Sequence, residues 1–187
     1  MQIEPAPPSN HVQGPARLLI VEPNRSALQV LAKRLGELGY RIVACEDAGN
    51  TMAEMMRAPV DLVLAELRMD SASGIELTRR IRDDTVLKDT PVILVAGRTD
   101  SAGAVDGFTA GADDVVAKPF HFEVLAARIA QRISRARSVK ELRADNATLD
   151  ARVVTRLLEL QVVLLALTCQ CLLDLVDQAR RQRQTQR

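Results

Sequence analysis

The sequence predicts an α/β protein: a doubly wound, five-stranded parallel sheet carrying a long C-terminal α-helix. Three observations predict it. Five short apolar runs alternate with helical patterns between residues 17 and 122, and such alternation means right-handed crossovers and a parallel sheet. The apolar side chains are almost all aliphatic, with 47% of residues hydrophobic but only 2% aromatic, as suits strands covered on both faces. From Phe122 to the end no Gly or Pro interrupts the chain, so one long helix is expected.

The elements follow in order. Arg17-Leu18-Leu19-Ile20-Val21 reads as a buried strand. Ser26 to Leu38 has apolar residues at Leu28, Leu31 and Leu35, and Gly39 closes that helix. Arg41 to Cys45 is the second strand, and Ala48 to Arg57 a helix ended by Pro59. Val60 to Ala65 is the third strand and Gly74 to Arg82 the next helix. Pro91 to Ala96 is the fourth strand, and Ser101 to Ala110 a helix closed by Gly111. Asp113 to Ala117 is the fifth strand, and the last helix begins near Phe122.

This pattern divides the chain into a leader (1–15), a globular domain (16–135), a coiled-coil or bundle helix (136–180) and a basic tail (181–187). Charge divides it similarly. Residues 1–127 hold 13 Lys+Arg against 18 Asp+Glu, and residues 128–187 hold 12 against 6. An acidic globule therefore precedes a basic helix. The near absence of aromatics argues against binding single-stranded nucleic acid by base stacking. The leader contains Pro5, Pro7, Pro8 and Pro15 and has no apolar core, so it is not read as a signal peptide. Cys45, Cys169 and Cys171 have no metal or redox spacing and are expected to be structural in a reducing cytoplasm. His11 and His121, the only histidines, are assigned surface or capping roles.

Ligands of doubly wound sheets sit at the carboxyl ends of the strands. Those ends point to Glu22, Glu66, Ala96 and Lys118. The flanking sequence is distinctive: Asp61-Leu62-Val63-Leu64-Ala65-Glu66-Leu67-Arg68-Met69 followed by Gly74, then Pro91-Val92-Ile93, then Ala110-Gly111-Ala112-Asp113 leading to Lys118-Pro119-Phe120. On these segments, residues 17–135 resemble the response-regulator receiver family.

The resemblance implies a flavodoxin-like sheet of strand order 2-1-3-4-5. It also implies transfer of a phosphoryl group from a histidine kinase to an Asp at the end of the third strand. An acidic pair after the first strand holds Mg²⁺, a Lys and a Ser/Thr bind the phosphoryl oxygens, and an aromatic residue on the fifth strand rearranges with that hydroxyl. This sequence departs from the set at four places: Glu22-Pro23 stands at the acidic pair, Glu66 at the acceptor, Ala96 at the hydroxyl and Val115 at the aromatic position. Only Lys118, followed by Pro119, is unaltered. Glu66 is one methylene longer than Asp and is expected to reach Lys118 directly. Ala96 has no hydroxyl to donate to phosphate. A receiver that does not use phosphotransfer is the leading expectation, with no enzymatic activity and no cofactor; weak Mg²⁺ binding at Glu22 and Glu66 stays open.

Heptads can be counted along the last helix. With Val139 at a, Asn146 and Val153 follow at a, and Leu142 and Leu149 at d. Asn at a favours parallel, in-register pairs. A helix over residues 136–180 would span about 66 Å, too long to pack on its own small domain. Arg156 then falls at d, and beyond it the apolar stripe widens from Leu157 to Val176, more than a two-stranded seam can bury. A homodimer is expected, with a tetramer or a partner helix covering the wider stripe. Glu159, Gln161, Gln170 and Asp174 interrupt that stripe, so a membrane span is not expected. The segment Glu141 to Val153 looks like the connector that follows receivers in multidomain regulators.

The partner is expected to be a signalling protein, a histidine kinase or an output protein, met through the receiver face or the C-terminal helix. Two alternatives stay open. One is a receiver that accepts phosphate from a histidine kinase. The other is a nucleic-acid-binding regulator acting through Arg180, Arg181, Arg183 and Arg187.

Overall fold

The structure is a computed structural model. It describes residues 14–69 and 73–185, and side chains of the last helix as far as Leu165, Val162 and Val163 excepted. The leader up to residue 13, the end of the basic tail and the side chains of Cys169, Cys171 and Arg180 onward lie outside the described residues.

Ten elements alternate: β1 (Arg17–Val21), α1 (Arg25–Glu37), β2 (Arg41–Cys45), α2 (Gly49–Arg57), β3 (Leu62–Glu66), α3 (Gly74–Asp83), β4 (Val92–Ala96), α4 (Ser101–Thr109), β5 (Asp114–Ala117) and α5 (Phe122–Thr185). The strands form one parallel sheet of order β2-β1-β3-β4-β5. This is the fold class the alternation predicts.

Period-2 alternation along the strands sorts the core onto two faces. Leu18, Ile20, Leu62, Leu64, Ile93 and Val95 pack with Leu28, Leu31 and Leu35 of α1 and with Leu125, Ile129 and Ile133 of α5. Leu19, Val21, Val63, Ala65, Leu94 and Ala96 pack on the other face with Met55 of α2 and Ile75, Leu77 and Ile81 of α3. Because aliphatic residues serve both faces, β1 and β3 read as unbroken apolar runs.

Caps set the helix starts. Asn24, Ser73 and Asp100 accept the backbone N–H groups of Ala27, Glu76 and Gly103, each satisfying a donor that the helix leaves free. After α1 the chain turns at Gly39, whose φ of 89° a residue with a Cβ rarely adopts.

Several element ends differ from the sequence-based expectation, most by a single residue. β3 begins at Leu62, not Val60, and extends to Glu66. Asp61 is drawn out of the strand because its carboxylate accepts the backbone N–H of Arg17 at 2.8 Å. Arg25 joins α1 because Asn24 caps it. At the far end α5 continues through Thr185 into the segment expected to be tail, with no Gly or Pro to stop it.

The chain divides into two compact units, Met1–Arg137 and Ser138–Arg187. In the first, the opening turns of α5 complete the core. In the second, Val139, Leu142, Leu149, Val153, Leu157, Leu158 and Leu160 are exposed, and so is Asn146.

Candidate functional site

The carboxyl end of the sheet gathers three of the residues singled out from sequence. Glu22 follows β1 directly and is buried, 5% exposed, with its backbone N–H tied to the Cys45 carbonyl. Glu66 ends β3. Lys118 follows β5, held by its backbone N–H to the Ala96 carbonyl at 2.8 Å.

These positions converge on one ammonium. Lys118 Nζ donates to Glu66 Oε2 at 2.6 Å and to Glu22 Oε2 at 2.9 Å. The backbone N–H of Asn24 donates to the other Glu22 oxygen at 3.0 Å. One cation is thus shared between two carboxylates, and the cluster carries a net negative charge.

The electrostatics follow. Burial pushes the Glu66 carboxyl above its usual range; Lys118 pulls it back, and the neighbouring Glu22 charge pushes it up again. Burial works against the Lys118 ammonium, but its hydrogen bonds to Glu66 and Glu22, together with their charges, outweigh that and raise its pKa.

The altered positions surround this cluster. Ala96, 2% exposed, ends β4 and presents a methyl group. Val115 is half-buried and packs into the core face shared with α2 and α3. Pro23 is exposed. The heptad residues Val139, Leu142, Asn146, Leu149 and Val153 belong to the second unit.

Mg²⁺ demands hard oxygen ligands in a near-octahedral array. Here Lys118 takes the position between the two carboxylates, the free oxygen of Glu22 is turned to the Asn24 N–H, and Pro23 supplies no carboxylate. Among the described residues no group of three His, Cys, Asp or Glu could hold a metal ion. The residues in this arrangement do not fit Mg²⁺.

Sequence reasoning pointed to Glu66 and Lys118 as a pair but did not foresee Glu22 on the same ammonium. It also missed Arg68, which bridges from the loop after β3 to the Asp100 cap of α4 with two hydrogen bonds. That guanidinium holds the Asp100 carboxyl below its usual range. It missed the pairing of buried Asp114 with Arg128 on α5 as well. Neither pair has a local spacing that would reveal it.

The response regulator receiver domain family matches residues 18–130. The transcriptional regulatory protein ResD of Bacillus subtilis is 30% identical over 141 residues, covering 75% of this chain and 58% of that protein. The two-component response regulator PhoP of Pseudomonas aeruginosa is 35% identical over 113 residues, covering 60% of this chain and 49% of its own length. The chain thus spans about half to three-fifths of the curated relatives it matches. Among solved structures, the receiver domain of a signal transduction histidine kinase from Syntrophus aciditrophicus aligns with a TM-score of 0.60 at 27% identity, covering 64% of this chain and 90% of that one. A response regulator receiver domain protein from Clostridium thermocellum aligns with a TM-score of 0.62 at 21% identity, covering 66% and 98%, a likeness of fold.

Proposed function

The chain belongs to the response-regulator receiver family and carries a receiver domain of two-component signalling; from that premise we propose that its output does not depend on phosphorylation and that it acts in the cytoplasm as a dimeric protein-interaction module. One observation carries the reading. The lysine that would bind phosphoryl oxygens is already engaged by two carboxylates of its own chain, Glu22 and Glu66. An incoming phosphoryl group would have to displace that pairing. It would find a methyl at Ala96 in place of a hydroxyl donor. Glu66 instead supplies a permanent anion where phosphorylation would create one, with less charge and fewer acceptor oxygens.

Dimerisation rests on the exposed a and d residues of the second unit, Val139, Leu142, Leu149 and Val153, with Asn146 in register among them. The same helix and the receiver face are the surfaces offered to a signalling partner.

A second reading is favoured by family membership. The matched relatives are named as regulators of two-component and transcriptional type, and Glu66 places a carboxylate at the end of β3. In that reading Glu66 accepts phosphate from a histidine kinase. Incubation with acetyl phosphate, or with beryllofluoride and Mg²⁺, separates the two by intact mass and amide NMR. The wild-type chain is expected to form no adduct. A variant combining Pro23→Asp, Glu66→Asp and Ala96→Thr is expected to gain a Mg²⁺-dependent one. A phosphoryl adduct on the wild-type chain overturns the phosphorylation-independent reading in favour of the second.

A further inference from the structure

The amino ends of the strands carry a second charged constellation, at the opposite end of the sheet from Glu66 and Lys118. A cleft of about 880 Å³ opens there. Arg17 and Arg41, the first residues of β1 and β2, sit side by side in register, and Arg57 and Arg137 enter from the ends of α2 and the first unit. Among the described residues Asp61 and Glu54 are the only acidic ones lining it, so two positive charges are left over. The surplus is local, since residues 1–137 as a whole hold 17 Lys+Arg against 18 Asp+Glu.

The cleft is built on fixed backbone. The Arg41 N–H donates to the Ala16 carbonyl at 2.9 Å and the Asp61 N–H to the Arg17 carbonyl at 2.8 Å. Asp61 accepts the backbone N–H of Arg17 with one oxygen and two donors of the Arg137 guanidinium, at 3.0 and 3.2 Å, with the other. Arg137 is thereby aimed and held.

The remaining guanidiniums are weakly occupied. Arg17 and Arg57 reach Glu54 at 3.5 and 3.4 Å, the long limit of a hydrogen bond. Arg41 is exposed, and its side chain has no hydrogen bond or ion pair among the described residues. Donor capacity is therefore unspent, and it faces a volume in the range of small-molecule sites, roughly 300–1,000 Å³. Ile42, Val43, Ala58 and Pro59 line the same cleft with apolar surface.

We propose that this cleft binds a nucleoside phosphate. Guanidinium forks match phosphate oxygens in pairs and their planes stack on flat rings, so both halves of such a ligand meet a suitable surface without an aromatic residue. Two residual positive charges, left once Glu54 and Asp61 are accounted for, oppose the negative charge of a phosphate chain. An acidic peptide shares the anionic chemistry but would not use the partly apolar volume.

Calorimetric titration of the full chain tests this, with ATP and GTP as probes beside adenosine, inorganic phosphate and a poly-aspartate peptide. Saturable binding of a nucleotide at one site per receiver is expected, weakening with added salt and tighter than inorganic phosphate by at least tenfold. Arg41→Glu should weaken it at least tenfold. That residue has no internal partner, so the fold is retained, as circular dichroism would check. Arg98→Glu makes the same charge change at an exposed position outside the cleft and should leave binding unchanged. The proposal is overturned if neither nucleotide binds, if inorganic phosphate or poly-aspartate binds as tightly, or if the Arg41 and Arg98 variants behave alike.

Discussion

At the scale of single residues, Lys118 is the keystone of the carboxyl-end cluster. Lys118→Met would leave two carboxylates facing each other without a cation, one of them on Glu22 with a side chain only 7% exposed. Breaking a buried pair costs about 3–5 kcal/mol, and the 38% exposure of the Lys118 side chain lowers that to about 2–3 kcal/mol. The pH dependence has a definite sign. Without the ammonium Glu66 loses the interactions that pull its raised pKa back, so its folded value stands further above the unfolded one, and the variant is most stable in acid and loses stability as pH rises through that folded value. Urea denaturation should therefore show a large deficit at pH 7 that mostly closes near pH 4. In the wild-type chain the raised Lys118 pKa acts at the other end of the scale. Its stabilisation is full below the ordinary lysine range and is lost only as pH climbs through the elevated folded value. If Lys118→Met is equally stable relative to wild type at both pH values, the three-way cluster does not form in solution. Glu66 and Lys118 were legible in the sequence because each ends an apolar run. The share that Glu22 takes was not, because it depends on how the loops after β1 and β5 approach each other.

At the scale of elements, the packing of α3 against β3 leaves no room at Gly74. A Cβ there would collide with the Glu66 carbonyl oxygen and lie 2.9 Å from Leu94 Cδ2. The Glu66 carbonyl is backbone at the end of β3 and has no side-chain freedom to swing aside, so Gly74→Ala must push α3 off the sheet or displace the backbone of Glu66. Overpacking of this kind costs about 1–3 kcal/mol. Thermal unfolding should register that loss, and the amide resonances of Glu66 and Lys118 should shift with it. Unchanged stability with unmoved resonances would mean that α3 sits farther from β3. The elements themselves were legible: Leu28, Leu31 and Leu35 mark one face of a helix without help from elsewhere, and short apolar runs mark the strands. The ends were less legible. Val60 looked like strand because it is β-branched, yet the chain there is governed by Asp61 reaching to Arg17, 44 residues away. The arginine cleft was invisible for the same reason: Arg17, Arg41, Arg57 and Arg137 become neighbours only through strand register and helix packing.

At the scale of the whole molecule, assembly is the property the second unit bears on most directly. Val139 is 41% exposed and Leu142, Leu149 and Val153 are 55–63% exposed in the single chain. A parallel pair would bury these at a and d and bring Asn146 opposite its twin, where each amide finds a partner; in any other register it would be a buried, unpaired amide costing about 1–3 kcal/mol. Arg156 falls at d, and its guanidinium is engaged by Glu159 on the same helix at 2.9 Å, so the seam should loosen there. Leu157, Leu158, Leu160, Leu164 and Leu165 follow, all 58–66% exposed, over too wide an arc for a two-stranded seam. The full chain is therefore expected to be at least a dimer, extending to a tetramer or to a partner complex through the residues after Arg156. Truncation after Ser138 keeps the first compact unit with its Arg137–Asp61 pair intact and should give a monomer. Truncation after Arg156 should give a dimer weaker than the full chain, because fewer than three heptads of isolated helix bury little. Light scattering on the three chains at micromolar concentration decides among these states. A monomeric full-length chain would sink the dimer, and a full-strength dimer from the Ser138 truncation would move the interface onto the receiver itself.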